Sequence, residues 1–318
     1  MKKRALLVGI NYVGTDHELH GCINDSNNMK ALLTGRGFTE IKQILEGDAT
    51  TAGIVAGLKW LIAGTEPGDV IAFHYSGHGS QMPRASALII SPYLPPSTFE
   101  EIICPVDLNW VDKIITDTTL RDIFNQVPNG VNTTVILDCC HSGTMLEQAQ
   151  HLDTAVKDLA PIVETKSDRF LPPPPGVVGP NLVHAAWSTS KDVNATALLI
   201  AGCHSDQTSA DTVLNGQPCG AATASLLQAV AANSTISYKQ LMIAMCDFMT
   251  ANKYSQVPEL DGDSSLYDQV FLEPFSFTIP ASQPVSTTTA TSSKLSNDKV
   301  AIIVAVAVII ILFIFFVT

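Results

Sequence analysis

The sequence predicts an α/β sandwich, and three observations predict it. Short runs of apolar, mostly β-branched or aromatic residues stop abruptly at Gly, Ser or Asp, as buried strands do where they end in loops. These runs alternate with amphipathic stretches of helical spacing, the order that gives a mostly parallel sheet with helices on both faces. The chain of 318 residues is 46% apolar, enough to bury one large core or two small ones.

The strand-like runs fall at 4–10, 41–45, 70–75, 102–106, 133–138 and 197–202, and helical patterns at 26–35, 51–63, 117–126, 221–231 and 237–252. Two strings stand where strands should end. Val70-Ile71-Ala72-Phe73 leads into His74-Tyr75-Ser76-Gly77-His78-Gly79, and Thr134-Val135-Ile136-Leu137 leads into Asp138-Cys139-Cys140-His141-Ser142-Gly143. In an open α/β sheet, chemistry sits at the carboxyl ends of strands. A histidine at one end and a cysteine at another make a thiol nucleophile with an imidazole partner. The imidazole takes the thiol proton and returns it to a leaving amine, since its pKa lies near neutrality. The backbone N–H groups of Gly79 and Cys140 are candidates for holding the developing oxyanion. A zinc site is the competing chemistry, but Ser76-Gly77 breaks any helix that would align His74 with His78.

These strings, in this order, closely resemble the metacaspases, cysteine endopeptidases of caspase-like fold. The resemblance extends to Leu7–Tyr12, Leu19–Asp25, Cys104–Asp107, Gly202–Asp211 and Tyr254–Leu260, and covers roughly residues 4–273. It implies His78 as general base and acid and Cys140 as nucleophile, with Cys139 a buried filler on the opposite side of the strand. His74 and His141 are then structural. Metacaspases cut after Arg or Lys, and the resemblance places Asp25, Ser76 and Asp138 in the pocket for that side chain. Paired carboxylates suit the fork of a guanidinium. Read alone, Asp25 is equally a helix N-cap before Ser26–Leu33.

The expected catalytic domain is 1–278, with a large-subunit region to about 160, a connector at about 161–180 and a small-subunit region at 181–278. The connector carries Pro172-Pro173-Pro174-Pro175-Gly176 and reads as exposed, which makes Lys157, Lys166 and Arg169 candidate self-processing sites. No cofactor is expected to be required. Calcium activation in the family uses clustered aspartates, and here the interval Met82–Ile90 has none. Glu100, Glu101 and Glu147 remain as candidate ligands, a depleted set for a cation that wants six to eight oxygens, so calcium dependence is expected to be weak or absent. The first strand starts near Arg4, so no restraint by an amino-terminal prodomain is expected.

A net charge of −12 argues against nucleic-acid binding. Seven cysteines without metal-type spacing, one of them the nucleophile, fit a reducing compartment. Residues 279–299 are a Ser/Thr-rich linker without an apolar face. Val300–Val317 is an unbroken run of 18 apolar residues, about 27 Å as a helix, enough to cross a bilayer. The expectation is a monomeric endopeptidase acting on protein or peptide substrates, held on an intracellular membrane by this tail and facing the cytosol. The alternative is a catalytically weak membrane-bound scaffold or decoy that keeps the fold.

Overall fold

The computed structural model describes residues 1–83, 99–140, 167–177, 197–204 and 207–275. The elements follow the order β1 (Lys3–Gly9), α1 (Cys22–Gly35), β2 (Glu40–Leu45), α2 (Thr51–Ile62), β3 (Val70–Ser76), β4 (Gly79–Pro83), β5 (Phe99–Ile103), β6 (Ile115–Thr116) and α3 (Asp117–Phe124). Then come β7 (Asn132–Asp138), β8 (Ser167–Asp168), β9 (Ala197–Ala201), β10 (Ala210–Leu214), β11 (Gln217–Gly220), α4 (Ala221–Ala232), α5 (Tyr238–Ala251) and β12 (Glu259–Gly262).

Six strands form the central sheet in the order β12-β9-β7-β3-β1-β2, parallel except for the β12–β9 pair. Side chains alternate across a strand, so each strand feeds two cores. Leu6 and Val8 of β1 join Phe73, Val135 and Leu199 on the face covered by α2 and α3. Ala5 and Leu7 pack on the other face among Met29, Leu226, Tyr238 and Met242, from α1, α4 and α5. Burial on both faces is why β3 and β7 read as continuous apolar runs rather than alternating ones.

The 102–106 run does not enter this sheet. It forms β5, which ends at Ile103 and sits between β4 and β6 in a small antiparallel sheet. Beyond it, the Cys104 N–H turns to the His78 carbonyl, and Pro105 has no N–H to continue a ladder. A third sheet, β11-β10-β8, stands beside the carboxyl ends of the central strands. Among the described residues no helix is long and apolar enough to cross a membrane. The 279–299 linker and the 300–317 run lie outside the described residues, as do Glu147, Lys157, Lys166 and His141.

Candidate active site

β3 and β7 are neighbours in the sheet, with Ser76 opposite Asp138, so the two strings emerge side by side at their carboxyl ends. The backbone of His78 is clamped at both of its polar groups. Its N–H donates to the Tyr12 hydroxyl at 3.0 Å, and its carbonyl accepts from the Tyr75 hydroxyl at 2.7 Å. The imidazole Nε2 lies 2.7 Å from the His17 carbonyl oxygen. A carbonyl only accepts, so Nε2 carries the ring proton and Nδ1 is left as the basic nitrogen. Burial lowers the His78 pKa to about 4, the Arg169 guanidinium adding to the effect against the His17 carbonyl, so the ring is neutral.

Cys140 is buried, and its Sγ accepts the Ser209 N–H at 3.0 Å. Burial pushes its thiol well above the ordinary range. The thiol of Cys140 and the imidazole of His78 are both neutral at rest, and among the described residues Nδ1 of His78 makes no hydrogen bond. Cys139 belongs to the core on the α2 and α3 face. His74 is buried, its Nε2 lies 3.2 Å from Thr223 Oγ1, and burial lowers its pKa to about 4.

Arg169 lies in the midst of the site. The proline-rich connector reads as exposed in the sequence; Pro172, Pro174 and Pro175 are exposed, but Arg169 is completely buried. Its Nη2 meets Asp25 Oδ2 at 2.8 Å and Asp211 Oδ1 at 2.9 Å. Its Nη1 meets Ser76 Oγ at 2.8 Å, with the Asp138 carbonyl and Oδ1 each at 3.1 Å. The residues read as a pocket for a basic side chain thus converge on one guanidinium, supplied by the chain itself. Asp25 lies in the first turn of α1 and does not cap it; the Cys22 and Ile23 N–H groups donate to Asn11 Oδ1 instead.

The acids differ in state. Burial pushes Asp25 up to about 6 despite the adjacent guanidinium. Burial acts on Asp138 too, but Arg169 and the Thr223 and Ser209 donors hold it below the ordinary range. Gly220 forms a wall of the pocket and donates its N–H to Asp25 at 3.0 Å. A Cβ there would run into Asp138 Oδ2 and Arg169 Nη1.

The backbone of Arg169 is seated as closely as its side chain. Its carbonyl oxygen accepts from the Gly79 N–H at 2.9 Å and the Cys140 N–H at 3.3 Å. Those are the two donors expected to hold an oxyanion. On one side, β8 pairs antiparallel with β10 and the Arg169 N–H donates to the Ser209 carbonyl at 2.9 Å. On the other, the Leu171 N–H donates to the Gly79 carbonyl at 3.0 Å. The segment therefore crosses the site extended, with the Arg169–Phe170 peptide bond between Gly79 and Cys140.

Asp211, Ser209, Gly220 and Thr223 are the residues sequence reasoning did not assign. Asp211 and Ser209 fall in the Gly202–Asp211 string, where Ser209-Ala210-Asp211 puts a carboxylate among small residues on a buried strand. That was the available signal. Of the calcium candidates, Glu100 and Glu101 are buried on β5, opposite Met82 and Gln81 of β4. Among the described residues no group of three His, Cys, Asp or Glu side chains converges as a metal site.

Comparison with known proteins matches residues 3–149 to the metacaspase, peptidase C14 domain. Metacaspase-1A of Neurospora crassa is 32% identical over 302 residues, 85% of this chain and 65% of that protein. Metacaspase-1 of Mycosarcoma maydis is 30% identical, over 81% of this chain and 70% of that protein. The chain thus spans about two thirds of the length of these relatives. Among solved structures, caspase-1 of Spodoptera frugiperda superposes with a TM-score of 0.51 at 11% identity, over 87% of this chain and 92% of that one. A Geobacter sulfurreducens protein superposes at 0.60 with 24% identity, over 86% of this chain and all of that one. The superposition on caspase-1 shows the caspase-like fold.

Proposed function

Because this chain belongs to the metacaspase family of cysteine peptidases, we propose that it is an endopeptidase cutting after arginine, through His78 and Cys140, and that it cuts itself at Arg169–Phe170. The observation that carries this reading is the seat of Arg169: guanidinium on three carboxylates, carbonyl oxygen on two backbone N–H groups.

His78 Nδ1 takes the Cys140 thiol proton as Sγ attacks the carbonyl carbon of the arginine. The oxygen gains negative charge against the Gly79 and Cys140 N–H groups, which already donate to the Arg169 carbonyl. The C–N bond breaks, and the imidazolium returns its proton to the departing amine. Water, activated by the now neutral His78, then hydrolyses the thioester and restores the thiol. Lysine is accommodated more poorly, since one ammonium replaces a two-pronged guanidinium.

The buried pocket supports arginine at the cut; the exposed prolines after Leu171 leave the far side of the bond open to departure. The lack of aspartates in the interval Met82–Ile90 supports weak calcium dependence or none. The apolar run at 300–317 supports an anchor in a membrane; an intracellular membrane, the cytosolic side and a monomeric catalytic domain are proposed with it.

The test uses the full chain on peptides ending in Arg or Asp, with calcium and with chelator, beside Cys140→Ala. Arg cleavage lost in Cys140→Ala and retained in chelator supports the reading. Asp cleavage overturns the pocket assignment, and cleavage of neither favours the scaffold. Extraction of the cellular protein by detergent but not by alkaline carbonate supports the anchor, and release by carbonate overturns it.

A further inference from the structure

Asp211 does two things at once. Its Oδ1 meets Arg169 Nη2 at 2.9 Å. Its two oxygens also accept from the backbone N–H groups of His20, at 2.8 Å, and Gly21, at 3.1 Å. Those groups end the loop that begins at Tyr12, and the same loop supplies the His17 carbonyl that fixes the His78 imidazole. Asn11 also ties the loop: its carbonyl accepts from Leu19 N–H at 2.7 Å and its Oδ1 accepts from Cys22 N–H, while the Tyr12 hydroxyl is bonded into the core. Tyr12 and Leu19 pack in the core, but residues 13–18, His17 among them, are exposed, so packing does not hold that stretch.

Resting on the arginine-pocket reading above, we infer that Asp211 is a positioning residue that couples occupation of the pocket to orientation of the catalytic histidine, through the His17–Gly21 loop. An arginine at the cut draws the carboxylate into a fixed place, the carboxylate holds the loop end, and the loop presents the His17 carbonyl to Nε2. Arginine then serves the chemical step as well as binding. Asp25 is the internal contrast. It meets the same Nη2 at 2.8 Å, but the partners of its carboxylate are Ser76 Oγ and the Gly220 N–H rather than the N–H groups of His20 and Gly21.

The test compares wild type, Asp211→Asn and Asp25→Asn on peptides ending in Arg and in Lys, with kcat and KM resolved and folding checked by thermal unfolding. Asp25→Asn is expected to act mainly on KM. Asp211→Asn is expected to lower kcat for Arg by about tenfold or more, part of the ~100- to 10,000-fold that positioned proton transfer supplies. A loss confined to KM, matching Asp25→Asn, overturns the coupling. Should Asp211→Asn not fold, the wild type decides. A lysine ammonium cannot serve all four partners, so its kcat at saturation falls below that of arginine, and equal kcat values overturn the inference. A folded wild type that cleaves neither peptide overturns the arginine-pocket reading itself, and this inference with it.

Discussion

Arg169 and Asp138 meet at 3.1 Å with their side chains almost wholly removed from water. Charges in such a place are tolerable only when paired and hydrogen-bonded. Three carboxylates face this one guanidinium, so the balance of the pocket depends on a cation being present.

Removing that cation has a predictable cost. Arg169→Gln leaves Asp25, Asp138 and Asp211 facing one another, and breaking a buried pair from one side costs about 3–5 kcal/mol. At roughly 2–4 °C per kcal/mol for a chain of this size, the thermal midpoint at pH 7 should fall by about 10 °C. The sign with pH follows. Without the guanidinium the folded-state carboxylate pKa values rise above their unfolded values, so protonation favours the folded form. The deficit should shrink as pH falls from 7 towards 4, and a deficit that grew instead would contradict the account.

In the proposed pocket, Asp25 is expected to set the pH dependence of substrate binding. Burial places its pKa at about 6, whereas Asp138 stays ionised well below that. The Arg169 guanidinium holds the Asp25 value down, and where a substrate takes the place of Arg169 that lowering is absent from the vacant pocket. Asp25 then takes its proton at a pH above 6 and loses its attraction for the incoming guanidinium. KM for an Arg peptide should therefore rise as pH falls from about 8 towards 6, and Asp25→Asn should flatten that dependence. A KM independent of pH across this range would show that Asp25 does not face the substrate.

Gly220 offers a steric test of the same pocket. Gly220→Ala puts a methyl group against Asp138 Oδ2 and the guanidinium. Overpacking of this kind costs about 1–3 kcal/mol, so kcat/KM for Arg peptides should drop about 10- to 100-fold while the fold persists. Near-wild-type kinetics would mean that the arginine enters elsewhere.

Much of this was legible in the sequence because the signals are local. The apolar runs at 70–75 and 133–138 gave β3 and β7, and their polar ends gave His78 and Cys140 within reach of one site. The helix patterns gave α1 to α5, although α1 starts at Cys22, before the acid that resembled its cap. The β10–β11 hairpin was missed despite Asn215-Gly216, whose φ values of 52° and 77° suit a tight turn. Arg169 was the deepest misreading of environment. Its neighbouring prolines announce an exposed connector, and nothing nearby reveals that Asp25, Asp138 and Asp211, from α1, β7 and β10, will enclose it. Such a site is assembled by topology, and short-range pattern does not record it.

The most direct measurement is intact-mass and amino-terminal analysis of the full chain as it ages, wild type beside Cys140→Ala. The account predicts a fragment ending at Arg169 and a new amino terminus at Phe170, formed at a rate independent of protein concentration and absent from Cys140→Ala. Cleavage of Arg169–Phe170 in the Cys140→Ala chain, or an active wild type that leaves this bond intact, would contradict it.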